Sequence, residues 1–505
     1  MITPALLPLF AAIPLLCAGL TVLVRRAVVE RILMIGVPLA SAACAAGLAL
    51  HHRSEPVIAH NVGAFAPGIA IPFVSDAASA WLLVVTGLVT AVCAWYLVAS
   101  GEDRYRFVPP LVLMLVAGVN GALLTGDLFN LFVFVEVMLL PSYALISLTG
   151  GWRRLGIGRI FILVNLLTST FLLIGVGFVY AAAGTVNLAA LQGRAAEDPR
   201  IGLAVVMVLL ALAIKGGAFP VHGWLPTAYP ATSGGMMALF SALHTKVALY
   251  ALYRTVAVTY GEVPPWVWAL AAVVVATMLV GALSTAAVGR IRSALALQMV
   301  SGVGHILVPL AVLSAAARSA GLFYLAHHVV TVGALLLLAG AIEHTYGSGR
   351  YDRLSGLLHR DRGVAIAFVL GLFSLVGLPP TSGLWGKVAL VVGLADAPPA
   401  LAGVLIGAVV VASVISLMAL QRLWHEVFWG PPQTQYAPDD PRLGRGEQTD
   451  LPDDVRIPTR LAAPGYALVA VSVLMFLGAG ALFPFADAAG QALTQLAPYV
   501  EAVLG

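Results

Sequence analysis

Long apolar stretches follow one another along almost the whole chain, and short polar segments separate them. A membrane-spanning helix needs about 20 mainly apolar residues. Such stretches lie near residues 3–24, 30–50, 77–99, 107–125, 128–149, 159–182, 202–221, 231–258, 265–288, 293–315, 319–342, 363–392, 399–421 and 464–484. The pattern therefore predicts an all-α polytopic membrane protein with about 14 transmembrane helices.

The arginines between these stretches predict the orientation of the chain. If the segment with Arg25, Arg26 and Arg31 lies in the cytoplasm, the alternate polar segments place 19 arginines inside and 5 outside. Cytoplasmic segments carry the excess of basic residues in membrane proteins. Both termini are therefore predicted to lie outside. Residues 51–76 form an outside segment in which 69–74 is a candidate strand, and 425–462 form an inside loop that looks poorly packed on its own.

Prolines interrupt two of the predicted spans, near Pro220 and near Pro379. Proline removes a helical hydrogen bond and clashes with the preceding turn. Irregular backbone at membrane depth is tolerated where it is buried in protein or lines a wet cavity, and a plain structural kink is the alternative. The two breaks, with the weak echo of 230–234 in 379–383, predict two inverted repeats of about five helices each.

This pattern divides the chain into five parts. We predict three N-terminal helices over 1–106, a first repeat over 107–258, a second repeat over 259–424, a cytoplasmic loop over 425–462 and a last transmembrane helix with its tail over 463–505. Composition agrees, because 60% of the residues are hydrophobic and 10% are charged, against roughly a quarter charged in soluble domains. A soluble enzyme domain has no room here. The net charge of +4 calls for no nucleic-acid partner, and no spacing indicates a metal or cofactor site.

The chain has three lysines, Lys215, Lys246 and Lys387, and all three lie in apolar stretches. Arginine keeps its proton, whereas a buried lysine can lose it. An isolated buried carboxylate is costly, so we expect Glu136 to pair with Lys215. These residues are candidate members of a proton relay, with a structural ion pair as the alternative. Asp127 is expected to cap its helix.

Histidines beside these residues are further candidates, because histidine titrates near neutrality. His244 precedes Lys246 by two positions, so the two side chains should face different neighbours. His327 and His328 are candidate relay residues, with a plain hydrogen-bonding role as the alternative, and His222 and His305 are further candidates with the same alternative.

Four stretches and two flanking segments together resemble one protein family. The stretches are 126–136 (GDLFNLFVFVE), 214–229 (IKGGAFPVHGWLPTAY), 245–247 (TKV) and 379–387 (PPTSGLWGK), and the flanking segments are 424–430 (WHEVFWG) and 499–505 (YVEAVLG). The chain resembles the antiporter-like proton-translocating subunits of respiratory complex I and of multisubunit cation/proton antiporters. Within that family it looks most like the D-type subunits of Mrp Na⁺/H⁺ antiporters.

The resemblance implies roles for the buried charges. Glu136 and Lys215 match the family's glutamate–lysine pair, Lys246 its central lysine, and Lys387 the lysine on the second broken helix. The chain departs from the family pattern at Val332, where a lysine is usual after His327 and His328. It also departs at 290–293 (RIRS), where the pattern is Asp-x-Lys-Arg.

The expected function is that of a proton-translocating subunit of a multisubunit Na⁺/H⁺ antiporter in the bacterial plasma membrane. It would work with other antiporter subunits in the lipid bilayer and without a redox cofactor. A sodium site uses several hard oxygens, and Glu136 is the one deep acid here, so the cation is expected to cross elsewhere. The alternatives are a pump subunit of a complex I-like or membrane-bound hydrogenase complex and a non-conducting structural paralogue, which Val332 would favour.

Overall fold

The computed structural model describes residues 3–148, 152–261, 263–439 and 446–505. The first ten helices are α1 (Leu9–Val24), α2 (Ala27–His51), α3 (Ala77–Ser100), α4 (Val108–Leu124), α5 (Leu128–Ser147), α6 (Trp152–Ala183), α7 (Arg194–Glu197), α8 (Pro199–Gly216), α9 (Trp224–Ala228) and α10 (Gly234–Tyr260). The others are α11 (Val267–Thr285), α12 (Ile291–Leu307), α13 (Ala315–Tyr346), α14 (Leu357–Arg360), α15 (Arg362–Val376), α16 (Ser382–Gly393), α17 (Pro399–Phe428), α18 (Thr459–Leu477), α19 (Ala479–Ala492) and α20 (Ala497–Leu504). The fold is therefore dominated by helices.

Two small antiparallel hairpins accompany the helices. In the first, β1 (Val57–Asn61) pairs with β2 (Pro72–Asp76) so that Ala59 stands opposite Val74. In the second, β3 (Gln435–Tyr436) pairs with β4 (Thr449–Asp450). The candidate strand at 69–74 thus begins three residues later than predicted and extends to Asp76.

Twelve helices of the described ranges are long and apolar enough to cross a membrane. The shorter apolar helices are α4, α15 and α16. The predicted single span 363–392 is interrupted between α15 and α16, and the chain divides again at Gly478, between α18 and α19. A multi-pass helical membrane protein is confirmed. The count of fourteen stays a prediction, because it requires α4 to span and α15 and α16 to form one broken span.

Three helices, α10, α12 and α13, form the centre of the molecule, and every residue of their most apolar stretches is buried. α13 packs against α3, α10, α12, α15, α16, α18 and α19. In contrast, α1, α6, α11 and α17 expose apolar side chains such as Leu23 and Met418. Polar groups on the central helices are therefore shielded from lipid by protein on all sides.

The order of elements repeats between the two predicted repeats. α6 and α13 are both 32 residues long, and each precedes a broken helix, α8–α9 or α15–α16. The residue before α5, Asp127, forms an antiparallel bridge with Asn187 after α6, and Arg290 before α12 forms one with Arg350 after α13. These matching contacts support the two repeats, whose inverted relation and boundaries stay predictions.

A buried ion pair links α3 to α10 near one end of the bundle, and an aromatic ring of α20 packs against it. Asp76 caps α3 by accepting a 2.9 Å hydrogen bond from the backbone N–H of Ser79. Its other carboxylate oxygen lies 2.5 Å from Nη2 of Arg254 on α10, and both side chains are buried. The guanidinium also lies 5.0 Å above the ring of Tyr499 on α20. Satisfying both charges in this way offsets the cost of burying them.

The loop between α17 and α18 makes several hydrogen bonds with the helical bundle. Arg353 donates to the carbonyl of Ala437 at 3.1 Å, and Gln433 donates to the carbonyl of Arg353 at 2.9 Å. Arg360 donates to the carbonyl of Pro452 at 2.8 Å. The expectation of a poorly packed loop is therefore wrong for these parts. Residues 440–445, with the predicted inside arginines Arg442 and Arg445, lie outside the described residues.

Candidate functional site

Glu136 and Lys215 lie on neighbouring sides of α6 but do not form the expected contact. The Glu136 side chain, on α5, is half-buried, and its Oε1 atom is buried without a hydrogen-bond partner among the described residues. Lys215, on α8, is buried and donates a 3.0 Å hydrogen bond to Oγ of Ser169 on α6. The two charges remain within electrostatic range of each other. This conformation therefore shows the pair open, with a serine in place of the carboxylate.

The first helix break lies directly after Lys215. α8 ends at Gly216, and Gly217 takes the left-handed backbone conformation with φ +82°, which favours glycine. The indole of Trp224 donates a 3.0 Å hydrogen bond to the carbonyl of Ile214, and the N–H of Phe219 donates to Oγ1 of Thr277 at 3.0 Å. The freed backbone groups are thus satisfied inside the protein. Lys215 occupies the last turn of α8, where the helix dipole favours a cation.

His244 on α10 faces the first repeat. Its Nε2 atom lies 2.7 Å from Oγ of Ser142, and its Nδ1 atom lies 3.4 Å from the hydroxyl of Tyr229. The ring stacks on Phe240 with 4.9 Å between the ring centroids. His244 is within electrostatic range of Lys215. It therefore links the open pair on α5 and α8 to the central helix.

Lys246, two residues further along α10, faces the second repeat. Its side chain is fully buried, and its ammonium donates a 3.1 Å hydrogen bond to Oγ1 of Thr245. It lies within electrostatic range of His328 on α13. Across the residues that the structure describes, no carboxylate lies within 4.0 Å of this ammonium. Lys246 is therefore a buried amine with no counter-charge at that distance.

A cluster of aromatic rings surrounds His327 and His328 in α13. The Tyr324 ring stacks on His305 at 5.2 Å, lies edge-on to His327 at 5.2 Å and stacks on His328 at 6.2 Å, measured between centroids. Both ring nitrogens of His328 are buried without a hydrogen-bond partner within the described ranges. His328 reaches this position because Gly302 on α12 leaves room for its ring.

His305 and His327 differ in how their ring nitrogens are used. Nδ1 of His305 donates a 2.9 Å hydrogen bond to the carbonyl of Ser301. Nδ1 of His327 lies 2.9 Å from Oγ of Ser382 and 3.2 Å from Oγ1 of Thr331. The Nε2 atoms of both rings are buried without a partner in the described part of the chain. In each ring, therefore, Nδ1 is hydrogen-bonded and Nε2 is not.

Lys387 on α16 is bound at the second helix break. Its ammonium donates 2.7 Å hydrogen bonds to the carbonyl of Val376, the last residue of α15, and to Oγ of Ser413 on α17. Gly377 follows with φ +96°, and a Cβ atom there would lie 2.8 Å from Cδ of Lys387. Glycine is therefore needed both for the turn and for the lysine. His327 lies within electrostatic range of this ammonium.

Electrostatic interactions join Lys215 to His244, Lys246 to His328, His328 to His327 and His327 to Lys387, and sequence places His244 two residues before Lys246. We call the series Lys215, His244, Lys246, His328, His327 and Lys387 the central row. Glu136 lies at the Lys215 end of the central row. His222 lies outside it, stacked on Phe219 at the first break with 5.8 Å between ring centroids. Val332 is fully buried and contributes no polar group.

The structure also shows functional partners that sequence reasoning missed. They are all hydroxyl groups, namely Ser142, Ser169, Tyr229, Thr331, Ser374, Ser382, Ser413 and Ser472. Hydroxyls in apolar helices usually return a hydrogen bond to their own backbone, so their presence alone is a weak signal. Among the described residues no group of three histidine, cysteine or acidic side chains could hold a metal ion. The site therefore consists of titratable groups and hydroxyls.

Known proteins share this architecture. The family model described as NADH:quinone oxidoreductase/Mrp antiporter, TM matches residues 125–416. The D-type subunit of a Na⁺/H⁺ antiporter from Alkalihalophilus pseudofirmus is 30% identical over 452 residues, which cover 88% of this chain and 88% of that protein. The N-type subunit of an NADH-quinone oxidoreductase from Desulforudis audaxviator is 32% identical over 432 residues, covering 84% and 83%.

A solved structure extends the likeness to the whole chain. A chain in the structure of the Mrp complex from Dietzia sp. DQ12-45-1b is 41% identical, with a TM-score of 0.94 and coverage of 100% of both chains. The match includes the N-terminal and C-terminal helices that flank residues 125–416.

Proposed function

This chain belongs to the NADH:quinone oxidoreductase/Mrp antiporter family, and from that premise we propose that it carries protons as the D-type subunit of a multisubunit Na⁺/H⁺ antiporter. The central row is the observation that supports the proposal. Histidines lie between the three buried lysines, and four of the six residues lie on α10 and α13, whose most apolar stretches are entirely buried in protein. Buried amines and imidazoles can exist neutral or charged, which a proton relay requires.

The open Glu136–Lys215 pair gives the first repeat a mechanism. When the carboxylate approaches Lys215, it stabilises the ammonium, and when it withdraws, burial favours the neutral amine. The proton then passes from Lys215 toward His244 and Lys246, which are the next groups in the central row. Movement of Glu136 thus couples an electrostatic change to proton release.

The cation crosses elsewhere in this proposal. Sodium prefers several hard oxygen ligands, usually including carboxylates. The central row offers amines, imidazoles and hydroxyls, and its one adjacent carboxylate is Glu136. We therefore assign Na⁺ transport to partner subunits. Na⁺ uptake by vesicles that contain this chain alone, at the rate of the whole complex, would overturn that assignment.

A redox-driven pump subunit is the second candidate, because the NADH-quinone oxidoreductase relative is as similar in sequence as the antiporter relatives. The Mrp-complex structure, at 41% identity, favours the antiporter, which needs no redox cofactor. Copurification of the complex from its native membrane separates the two. Antiporter subunits would support the proposal, and quinone or hydrogenase subunits would favour the alternative.

Orientation is part of the same proposal, in which the protein lies in the bacterial plasma membrane with both termini outside. Single cysteines introduced at 505 and at 430 test it with a membrane-impermeant thiol reagent. We expect labelling in intact cells at 505 only, and labelling only at 430 would reverse the orientation.

The sharpest test of proton transfer replaces Lys246 with arginine. Lys246→Arg keeps the positive charge and approximate length but blocks deprotonation, since arginine keeps its proton in proteins. We expect loss of Na⁺-dependent proton flux from proteoliposomes that contain the assembled complex. Arg318→Lys, a charge-preserving change at a buried arginine outside the central row, is the matched control.

The two variants also decide between conduction and a structural role. A complex with Lys246→Arg that transports protons like the parent would exclude Lys246 from the relay and favour a structural paralogue. Loss of flux in both variants, with normal assembly, would show that the assay reports packing of buried cations rather than proton transfer.

A further inference from the structure

Four hydroxyl groups form a closed ring with one nitrogen of His327. From Nδ1 of His327 the ring runs to Oγ of Ser382 at 2.9 Å, and from there to Oγ of Ser472 at 2.8 Å. It continues to Oγ of Ser374 at 3.1 Å and to Oγ1 of Thr331 at 2.9 Å. Thr331 closes it by lying 3.2 Å from Nδ1 of His327. We call this arrangement the hydroxyl ring.

The hydroxyl ring is assembled from four helices and is buried. Thr331 belongs to α13, Ser374 to α15, Ser382 to α16 and Ser472 to α18. Each of these side chains is at most 3% exposed. Ser374 and Ser472 are 98 residues apart in the chain. If His327 had only a structural role, one hydroxyl would be enough to hydrogen-bond Nδ1. Here four hydroxyls also hydrogen-bond one another.

Such a ring can serve His327 in either protonation state of Nδ1. A hydroxyl donates one hydrogen bond and accepts others, and its hydrogen rotates to suit its neighbours. When Nδ1 is unprotonated, Ser382 or Thr331 donates to it. When Nδ1 carries a proton, the same hydroxyls reverse and accept. Nδ1 of His327 therefore gains or loses a proton without itself becoming unpaired, which would be costly in a buried position.

We propose that the hydroxyl ring, rather than an amine at position 332, lets His327 take up and release protons in the second repeat. This inference rests on the proposed function. It explains how the relay passes Val332, which is buried on the same helix with no polar atom. The other ring nitrogen, Nε2, is buried without a hydrogen-bond partner among the described residues, and Lys387 lies within electrostatic range of the ring. The four hydroxyl residues are positioning residues for His327.

The proton balance of this step is simple. The imidazolium gives its Nδ1 proton to Oγ of Ser382 or Oγ1 of Thr331. Each hydroxyl that accepts a proton releases its own to the next oxygen. Because the ring closes on Nδ1, the last proton must go to an acceptor outside it, which in this proposal is a water molecule at Oγ of Ser472 or Oγ1 of Thr331. Thr331 and Ser472 also line a crevice, together with Thr381, that has no room for a water molecule in this conformation. Water must therefore enter this crevice before the proton can leave the ring.

The test removes the two closest of the three hydroxyls near Nδ1, leaving Ser374 at 3.4 Å, and measures Na⁺-dependent proton flux in the assembled complex. We expect Thr331→Val/Ser382→Ala to reduce flux at least about tenfold, because a hydrogen bond to a charged group is lost. Thr331→Val alone is nearly isosteric and should give a smaller loss. Thr331→Ser keeps the hydroxyl and should restore flux, which a merely structural role for the threonine methyl would not allow.

Thr90→Val is the matched control, since Thr90 is equally buried but bonds only the carbonyl of Thr86 in its own helix. Flux equal to that of Thr90→Val in the double variant would overturn the inference. If the double variant fails to assemble, Thr331→Val against Thr331→Ser decides. Lys246→Arg in the same assay distinguishes failure of this inference from failure of the proposed function. Unchanged proton flux in Lys246→Arg would refute the proposed function, whatever the hydroxyl variants show.

Discussion

Gly302 on α12 touches the imidazole of His328, so replacing this glycine with alanine should displace a member of the central row. A Cβ atom at position 302 would lie 1.9 Å from Nε2 and 2.2 Å from Cδ2 of His328. Ordinary van der Waals contact begins at 3.4 Å. The ring must therefore move by about 1.5 Å, the difference between 3.4 and 1.9 Å. Alanine adds no backbone strain, because Gly302 lies within the regular helix.

The displacement should affect transport more than stability. Overpacking of a well-packed interior typically costs about 1–3 kcal/mol, which a large helical protein can tolerate. A misplacement of about 1 Å at a reacting group can cost about 100-fold in rate. We therefore expect Gly302→Ala to assemble into the complex and to lose about 100-fold of its proton flux.

The assay is Na⁺-dependent acidification of proteoliposomes, with assembly followed by copurification of the partner subunits. Gly403→Ala on α17 is the control, because a Cβ atom there would meet nothing within 4 Å. If Gly302→Ala assembles and transports as fast as Gly403→Ala, His328 does not need its observed position, and the order of groups in the central row would be refuted.

Two further predictions concern the end of the bundle that carries the first hairpin. Arg254→Leu leaves the Asp76 carboxylate buried and unpaired, so thermal unfolding in detergent should show that the free energy of unfolding falls by about 3–5 kcal/mol. The double variant Arg254→Leu/Asp76→Asn should recover part of this stability. If it recovers none, the ion-pair explanation is contradicted. Burial lowers the pKa of His52, so the folded protein favours the neutral ring. The folded state is therefore most stable above about pH 6.5, the ordinary pKa of histidine, and loses stability as the pH falls. The protection factors of the amides in β1 and β2, which correct for the intrinsic exchange rate, should therefore fall on acidification. His52→Gln should remove this effect, and an equal fall in that variant would exclude His52.

The helices could be predicted from sequence because lipid makes strong demands on a spanning segment. About 20 apolar residues are needed to cross it, and this requirement gave bounds within three residues for α2, α3 and α11, whereas α17 extends seven residues beyond its predicted end. The two breaks could be predicted because proline cannot continue a helix. The division at Gly478 could not, because the hydropathy of α18 and α19 is continuous across it.

The partners of the charged residues could not be predicted in the same way. Charge balance suggested that Lys215 contacts Glu136, yet the structure gives it Ser169, a neutral group on the helix between them. Serine is common and nearly indifferent to burial when hydrogen-bonded. The sequence therefore identifies the ionisable groups of the site, whereas the hydroxyls that orient them depend on how distant helices pack.

The two repeats differ in the group that balances the charge of the lysine at the helix break, because Lys387 donates its hydrogen bond to the carbonyl of Val376. In the first repeat the counter-charge of the lysine is a carboxylate, which can itself gain a proton or move away. In the second it is the partial negative end of α15, which carries no proton and is anchored to the backbone. The electric field at Lys215 therefore changes with the position and protonation of Glu136, whereas the field that the end of α15 exerts at Lys387 is fixed by the backbone.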